Sequence, residues 1–328
     1  MKNFKLSIII PTWNRKEKLI KLLNIIILNL KKNQIIFEII ICDSFSNDGT
    51  ELAVKSIFKN HLNIYFKNVK KNNISKKRNI GIKASKYSNI LLLDDDCVPK
   101  KKFFKVVKKY LNRSKNNEIY CGQYHTSQKL ISKSNYYKFR DLKNLKTDKL
   151  VQINYNNIIT GCCFFKNNNL RNFIYFNEKI KGYGLEDIEW AHNLKIKNFG
   201  LFLTEAKVDH QETSQNIGAY ILKWYMLSRD AMPSLLKNKK NQMKGKIFTF
   251  EEVFAYSIFK SFLKGMNYFL LIPISILLKF FLIITDKNKY FFSKKLFNLL
   301  LFFYYLRGAC DRNKKSIKKT HWYNLGYK

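Results

Sequence analysis

The chain is short of the residues that punctuate and cross-link a polypeptide. There are 12 glycines and 4 prolines in 328 residues. No Gly/Ser-rich linker and no internal repeat is visible, which excludes a solenoid or a string of loosely tethered modules. The 6 cysteines (Cys42, Cys97, Cys121, Cys162, Cys163 and Cys310) contain no C-x-x-C pair. A disulfide framework and a zinc ribbon are therefore excluded, and buried free thiols in a reducing compartment are expected. Neither G-x-x-x-x-G-K-[ST] nor G-x-G-x-x-G occurs, so no P-loop and no dinucleotide fingerprint is present. No Ser-His-Asp set or reactive cysteine stands out, so nothing calls for covalent catalysis. The N-terminus enters a strand-like run by Phe4 without a long apolar stretch and cleavage site, so no signal peptide is expected.

Acids are scarce as well. Asp and Glu number 23 against 61 Lys and Arg, a formal net charge of +38. Either a polyanionic partner or a genome-level bias toward Lys, Asn and Ile explains this excess. Lysines are scattered through every segment, which favours bias for most of it. Two denser segments, Lys100 to Lys115 and Lys287 to Lys328, suit contact with anionic head groups or phosphates.

What is present is a chain able to build a large core: 46% of its residues are hydrophobic and 15% aromatic. Leu6-Ser7-Ile8-Ile9-Ile10, stopped by Pro11, reads as a buried strand. Leucines and isoleucines at helical spacing follow from Lys16 to Leu30. Further strands are expected at 37–42, 62–66, 90–93 and 158–165, and further helices after Asn47 and over 75–85. Asp48 and Glu51 are spaced like a capping box. Strands alternating with helices imply an α/β fold with a mostly parallel sheet flanked by helices.

The scarce acids are not spread evenly. Gly182-Tyr183-Gly184-Leu185-Glu186-Asp187-Ile188-Glu189-Trp190 places three acids at the start of an amphipathic helix. The glycines before them allow the loop to approach a ligand closely. Taken alone, acids at a helix N-terminus need no function, because the free N–H groups stabilise them there. A second cluster, Asp94-Asp95-Asp96, follows a strand. Pro11-Thr12-Trp13-Asn14-Arg15 and Asp43 follow two others. Ligands bind at the carboxyl ends of strands in open α/β sheets, so three coincidences at one edge point to a site. Short acids are hard oxygen ligands for Mg²⁺ or Mn²⁺, which in turn neutralises phosphates. Lys77-Arg78-Asn79-Ile80-Gly81, opening a helix, is a candidate phosphate contact.

Several motifs together resemble the family 2 glycosyltransferases with the GT-A (Rossmann-like) fold. They are Ile8-Ile9-Ile10-Pro11-Thr12-Trp13-Asn14-Arg15, Glu38 to Asp43 with Asn47-Asp48-Gly49-Thr50, Arg78-Asn79-x-Gly81, and Leu92-Leu93-Asp94-Asp95-Asp96-x-x-Pro99. The resemblance covers about residues 4 to 212. Phe176-Asn177-Glu178 with Gly182-x-Gly184-x-Glu186-Asp187 is similar to the acceptor-side motif of beta-1,4-galactosyltransferases and chondroitin-type polymerases. Val208-Asp209-His210 resembles the downstream histidine of that group.

The resemblance implies specific roles. Pro11, Thr12, Asn14, Arg15, Asp43, Arg78, Asp94 and Asp95 would line the nucleotide site. Asp94 and Asp96 would be the ends of an aspartate-x-aspartate motif, and Asp96, Asp94 and His210 would hold a divalent metal, Mn²⁺ or Mg²⁺. Asp187 would be the catalytic base, and Glu186, Tyr183 and Gly182 would hold the acceptor sugar. Ser44 departs from the acidic or amide residue common in the family at that position. The expected enzyme is a metal-dependent inverting hexosyltransferase. It would use a nucleotide-diphospho-sugar, with a UDP-sugar favoured, and a saccharide or lipid-linked acceptor in surface glycan synthesis. A sugar-nucleotide nucleotidyltransferase would need no acceptor-side Glu-Asp motif, and it usually carries a Gly-rich basic loop after the first strand. A basic nucleic-acid-binding protein would interleave lysines with aromatics on one face rather than cluster acids, so no nucleic-acid partner is expected.

The expected organisation is a catalytic domain over 1–212, with a nucleotide half (1–97) and an acceptor half (98–212). A helical, aromatic and basic membrane-associating region would follow over 213–328. Within it, Met266 to Ile284 has Lys279 as its one ionisable residue. Three readings stay open for this stretch: a transmembrane helix, an interfacial anchor on an anionic membrane surface, and a packed helix. The expected place is the cytoplasmic side of the membrane, peripheral or single-span.

Overall fold

A computed structural model describes residues 4–115, 117–168, 173–180, 184–211, 216–233 and 267–311. Four strands form the first half of the sheet: β1 (Lys5–Thr12), β2 (Ile36–Asp43), β3 (Ile64–Asn68) and β4 (Asn89–Leu93). They lie in the order β3-β2-β1-β4 and all pair parallel. Each parallel step needs a crossover, supplied by α1 (Lys16–Lys32), α2 (Thr50–Ile57) and α3 (Ile74–Ala84).

The central strands β1, β2 and β4 are largely apolar because both faces are covered, whereas the edge strand β3 is mostly exposed. Ile8, Ile10, Ile39 and Ile41 meet Leu19, Leu22 and Ile26 of α1 on one side. Ile9, Ile40 and Leu92 join Ile82 of α3 on the other. Successive side chains of a strand point to opposite faces, so the odd and even isoleucines belong to two cores. A Cβ at Gly81 would lie 2.3 Å from the Ile9 side chain, so α3 approaches the sheet as closely as it does because residue 81 is glycine.

Beyond β4 the sheet changes character. The chain continues through β5 (Cys97–Pro99), α4 (Phe103–Arg113), β6 (Glu118–His125), α5 (Gln128–Ile131), α6 (Asn135–Lys143), β7 (Val151–Gln152), β8 (Cys162–Lys166), α7 (Glu186–Ile196) and β9 (Gly200–His210). Among the described residues the sheet has nine strands in the order β3-β2-β1-β4-β8-β6-β9-β5, with β7 beside β9. Strand β8 is antiparallel to both β4 and β6, β6 and β9 are parallel, and β5 and β7 run against β9. The parallel character read from the sequence belongs to β1–β4, and the later strands make the sheet mixed.

Several local expectations shift. The third strand begins at Ile64 rather than residue 62, and the 158–165 strand is confined to Cys162–Lys166 after a 3-10 turn at Tyr155–Asn157. Asp48 and Glu51 do not form a capping box. Asp48 accepts from the Lys16 and Thr50 N–H groups, whereas Glu51 pairs with Lys55 and Asn68.

The last helices are α8 (Ile217–Met226), α9 (Ile272–Ile284) and α10 (Lys294–Cys310). They share a third core with α6, in which Phe139 stacks on Phe297 with ring centroids 4.6 Å apart and Ile221, Leu282 and Leu300 complete the packing. A Cβ at Gly308 would lie 2.2 Å from the Tyr225 carbonyl oxygen, so α10 crosses the end of α8 at backbone contact. Met266 and the basic tail from 312 to 328 lie outside the described residues. Among the described residues no helix is long and apolar enough to cross a membrane.

Candidate active site

The carboxyl ends of β1, β2 and β4 lie side by side, and the polar residues that follow them meet there. Pro11 can occupy β1 because it lies beyond the last β1–β4 pair, Ile9↔Leu92, where those two strands part. Thr12 donates its hydroxyl to Asp95 at 2.7 Å. Arg15 donates to Asp95 at 2.5 Å and to Asp96 at 3.1 Å. Asn14 adopts a left-handed φ of 51°, and its side-chain oxygen accepts from the Asn47 N–H at 2.9 Å. Asp43 is buried and accepts from both the N–H and the hydroxyl of Ser46, so its carboxylate orders the β2–α2 loop. Ser44, at the departure from the family pattern, donates to the Lys71 carbonyl.

Lys77 and Arg78 sit in the first turns of α3. The Lys77 ammonium is buried and donates to the Thr12 carbonyl and the Asn72 side chain, each at 2.7 Å. Burial lowers its pKa to about 8, although Asp43 and Asp95 oppose that shift. Arg78 is also buried. It lies 5.4 Å above the Phe176 ring and reaches Asp94 at 3.1 Å and Glu186 at 3.3 Å. One guanidinium therefore joins the acid cluster after β4 to the acids that open α7.

The β5–β9 ladder pairs Cys97 with His210 and so carries the histidine to the neighbouring aspartate. Asp96 and His210 approach to 3.5 Å. Ligand atoms of Asp96, Cys97 and His210 all lie within 4.8 Å of one another, the one such group of three among the described residues. Burial works against ionisation of Asp96. His210 and Arg15 outweigh it and hold the carboxyl well below the usual carboxylate range. Burial pushes the Cys97 thiol up, so it stays a neutral S–H that donates to Asp96. The carboxylate is a hard oxygen donor of the kind Mn²⁺ and Mg²⁺ take, and an imidazole beside it suits a first-row transition ion better than Mg²⁺. Asp94 lies outside this group, held by Arg78.

Tyr124 stacks on His210 with centroids 4.2 Å apart and rings 16° from parallel, which fixes the imidazole plane. Nothing in the sequence marks Tyr124, because one tyrosine in a mid-chain strand has no pattern around it. A Cβ at Gly161 would meet the Tyr124 hydroxyl at 2.4 Å and an Asp94 oxygen at 2.7 Å. Gly161→Ala is therefore expected to displace both. It should weaken nucleotide binding by about tenfold or more, the size of effect that loss of one charge-assisted hydrogen bond produces. Calorimetry with UDP checks it, and unchanged affinity would show that the convergence has no role in binding.

The α7 acids are set by backbone strain and burial. Gly184 and Leu185 take φ of 86° and 71°, and Glu186 and Asp187 then open the helix. A left-handed leucine is uncommon, so the surroundings must hold it there. Both carboxyls are half-buried. Asp187 accepts from the Ile188 N–H at 2.8 Å, and burial pushes its pKa up. Burial and then the Asp187 charge push Glu186 up to about 7, against the pull of Arg78. Gly182 and Tyr183 lie outside the described residues. Phe176-Asn177-Glu178 braces the site from behind: Asn79 donates to the Phe176 carbonyl at 2.8 Å and to Glu178 at 2.9 Å. Phe176 in turn stacks on Trp190 of α7 at 4.3 Å.

The raised Glu186 pKa makes a prediction about stability. Its ordinary value is 4.5, so the folded state holds the proton more tightly than the unfolded chain. The resulting stabilisation is complete below about pH 4.5 and is lost as pH rises through about 7. Glu186→Gln is therefore expected to raise the thermal midpoint over wild type more at pH 8 than at pH 5. Equal shifts at both pH values would contradict the buried, raised carboxyl.

A sheet whose parallel half ends in an acid cluster, continued by antiparallel strands that return a histidine to it, defines a GT-A fold. The model of Glycosyl transferase family 2 matches residues 7–173, and the chain belongs to that family. Over 122 residues it is 34% identical to the poly(ribitol-phosphate) beta-N-acetylglucosaminyltransferase TarP of Staphylococcus aureus (strain N315), covering 37% of this chain and 36% of TarP. It is 29% identical over 202 residues to the uncharacterized glycosyltransferase MG060 of Mycoplasma genitalium, covering 59% of this chain and 65% of that protein. The chain thus spans about a third of TarP and just under two thirds of the mycoplasma protein.

Two solved structures share the fold. One is the mannosyltransferase PcManGT from Pyrobaculum calidifontis in complex with GDP-Man and Mn²⁺, with TM-score 0.59, 12% identity, and coverage of 95% of this chain and 88% of that one. The other is S. aureus TarS 1-349 in complex with UDP, with TM-score 0.50, 15% identity, and coverage of 94% and 90%.

Proposed function

We propose that the chain is a metal-dependent, inverting glycosyltransferase. It moves a hexose from a nucleotide-diphospho-sugar, with a UDP-sugar as the donor, to a saccharide or lipid-linked acceptor at the cytoplasmic face of the membrane. The observation that carries this reading is the single arginine, Arg78, bonded to Asp94 on one side and Glu186 on the other. It brings the nucleotide edge and the acceptor-side acids into one site. TarS binds UDP and PcManGT binds GDP-Man with Mn²⁺, which agrees with a nucleotide-sugar donor.

Each residue then has a part. Thr12, Asn14 and Arg15 after β1, with Asp43 after β2 and Asp94 and Asp95 after β4, bound the nucleotide pocket. Asp96 and His210 would hold Mn²⁺ or Mg²⁺. When bound, that ion supplies a Lewis acid that neutralises the departing diphosphate. Lys77 and Arg78 add fixed positive charge along the same edge. Asp187 accepts the proton of the acceptor hydroxyl, and its raised pKa makes it a better base than an exposed aspartate. Glu186 binds the acceptor sugar with Gly182 and Tyr183. A carboxylate fixed in the first turn of a helix is well oriented, and orientation supplies most of the rate effect when the base is weak.

A panel of UDP- and GDP-sugars incubated with the protein, reading free nucleotide and the anomeric configuration of any product, tests this. Release from one or more UDP-sugars with an inverted anomer is expected. No release from any donor in the presence of Mn²⁺ would overturn the reading.

A further inference from the structure

The C-terminal helices carry an apolar surface that the catalytic reading leaves unused. On α9 and its flanks Phe269, Leu277 and Ile284 are 83%, 70% and 79% exposed, and Tyr290 just beyond is 97% exposed. Phe280 and Phe291 extend the same surface. Scattered apolar residues on a surface need no explanation, but a contiguous patch of this kind marks an interaction site.

The charges around it are sorted. Lys279 is the one ionisable residue in α9, and its side chain turns back toward α8, where its Cε would lie 3.7 Å from a Cβ at Gly218. With Lys279 turned this way, the outer face of α9 carries no charge of its own. Asp286 is the one acid between residues 267 and 310. It too faces inward, accepting from the Ser134 hydroxyl at 3.0 Å and the Tyr136 N–H at 2.8 Å. Among the described residues, the exposed charges that follow α9 in the chain are Lys287, Lys294 and Lys295.

We propose that this face of α9 lies in the headgroup region of an anionic lipid bilayer, parallel to its plane, with the lysine rim on the lipid phosphates. The proposal rests on the transferase reading only for why such a location is useful. An uncharged apolar and aromatic face bordered by lysines supplies the two signals that stable, reversible attachment requires. No described helix is long enough to pass through a bilayer, so the face lies on it. A second copy of the chain is disfavoured as the occupant, because pairing the faces would bring like-charged lysine rims together. The anchoring helix packs against α8, and Lys223 of α8 is among the charges that act on Asp96. A lipid-linked acceptor would therefore meet the site within one helical layer of the membrane.

Flotation of the full chain with phosphatidylcholine vesicles, with and without phosphatidylglycerol, tests this. The wild type is expected to float with the anionic vesicles and to lose at least tenfold of that binding in high salt. The double variant Leu277→Glu/Ile284→Glu should stay at the bottom of the gradient. It should keep the wild-type thermal midpoint and wild-type nucleotide release from a soluble donor. Wild-type protein that does not float, or a double variant that floats equally well, overturns the proposal. So does a dimer in sedimentation that the double variant dissociates, since a second copy then occupies the face. Failure to float with intact nucleotide release would remove the membrane face and leave the transferase reading standing. Loss of nucleotide release in both proteins would bear on the transferase reading instead.

Discussion

Asp187→Asn is expected to lower turnover by about 10²-fold or more while leaving UDP affinity within about twofold of wild type. The amide keeps the shape of the side chain and can still accept from the Ile188 N–H, so the first turn of α7 should hold. What it loses is the ability to take a proton. Glu186→Gln should behave differently. Glu186 faces Arg78, so removing its charge should raise the acceptor KM more than it lowers turnover. Steady-state kinetics of the two variants side by side separate the roles. Near-normal turnover for Asp187→Asn would move the base elsewhere, with Glu186 the next candidate.

The second large effect is expected at Asp96. Asp96→Asn should reduce nucleotide release by about 10³-fold, because metal stabilisation of a leaving diphosphate is worth several kcal/mol. It also removes one partner of Arg15, so the fold must be checked separately. A thermal midpoint near wild type together with collapsed activity is the predicted combination. His210→Ala should fall in the same direction and by less, since the carboxylate remains. If His210→Ala retained full activity at all metal concentrations, the imidazole would be a packing partner of Tyr124 and no more.

The nucleotide half was legible in the sequence because β1, β2 and β4 are buried on both faces. Runs such as Ile8-Ile9-Ile10 can hardly be anything else, and their ends locate the polar edge. The α7 acids were legible because two glycines and a helical period bracket them. The antiparallel half was much less so. Strand β8 is short, and its pairing with β4 and β6 depends on contacts across the chain that no local pattern records. The meeting of Asp96 with His210 was expected from the family resemblance, but the register that produces it, Cys97↔His210, is a property of the folded sheet. Tyr124 was missed for the same reason, since it matters through His210, distant in sequence. Ser46 was missed because a lone serine in a loop carries no pattern, although it bonds both Asp43 and the Asn14 N–H. Asp43 carries a further lesson. The resemblance implied a place for it at the nucleotide site, and the fold adds a second task, since both of its oxygens accept from Ser46 and so order the β2–α2 loop. The apolar 266–284 stretch was ambiguous from composition, and the inward turn of Lys279 is what distinguishes its two faces.

The central claim is a metal-dependent nucleotide-diphosphate site at the meeting of β4, β5 and β9. Calorimetric titration of UDP into the full chain, with Mn²⁺ and with excess chelator, tests it most directly. Mn²⁺ is predicted to strengthen UDP binding by at least about tenfold, the effect of adding one well-placed charge-assisted contact. The Asp96→Asn/His210→Ala double variant should bind UDP with the weaker affinity under both conditions. Equal UDP affinity with and without Mn²⁺ in the wild type would contradict the account.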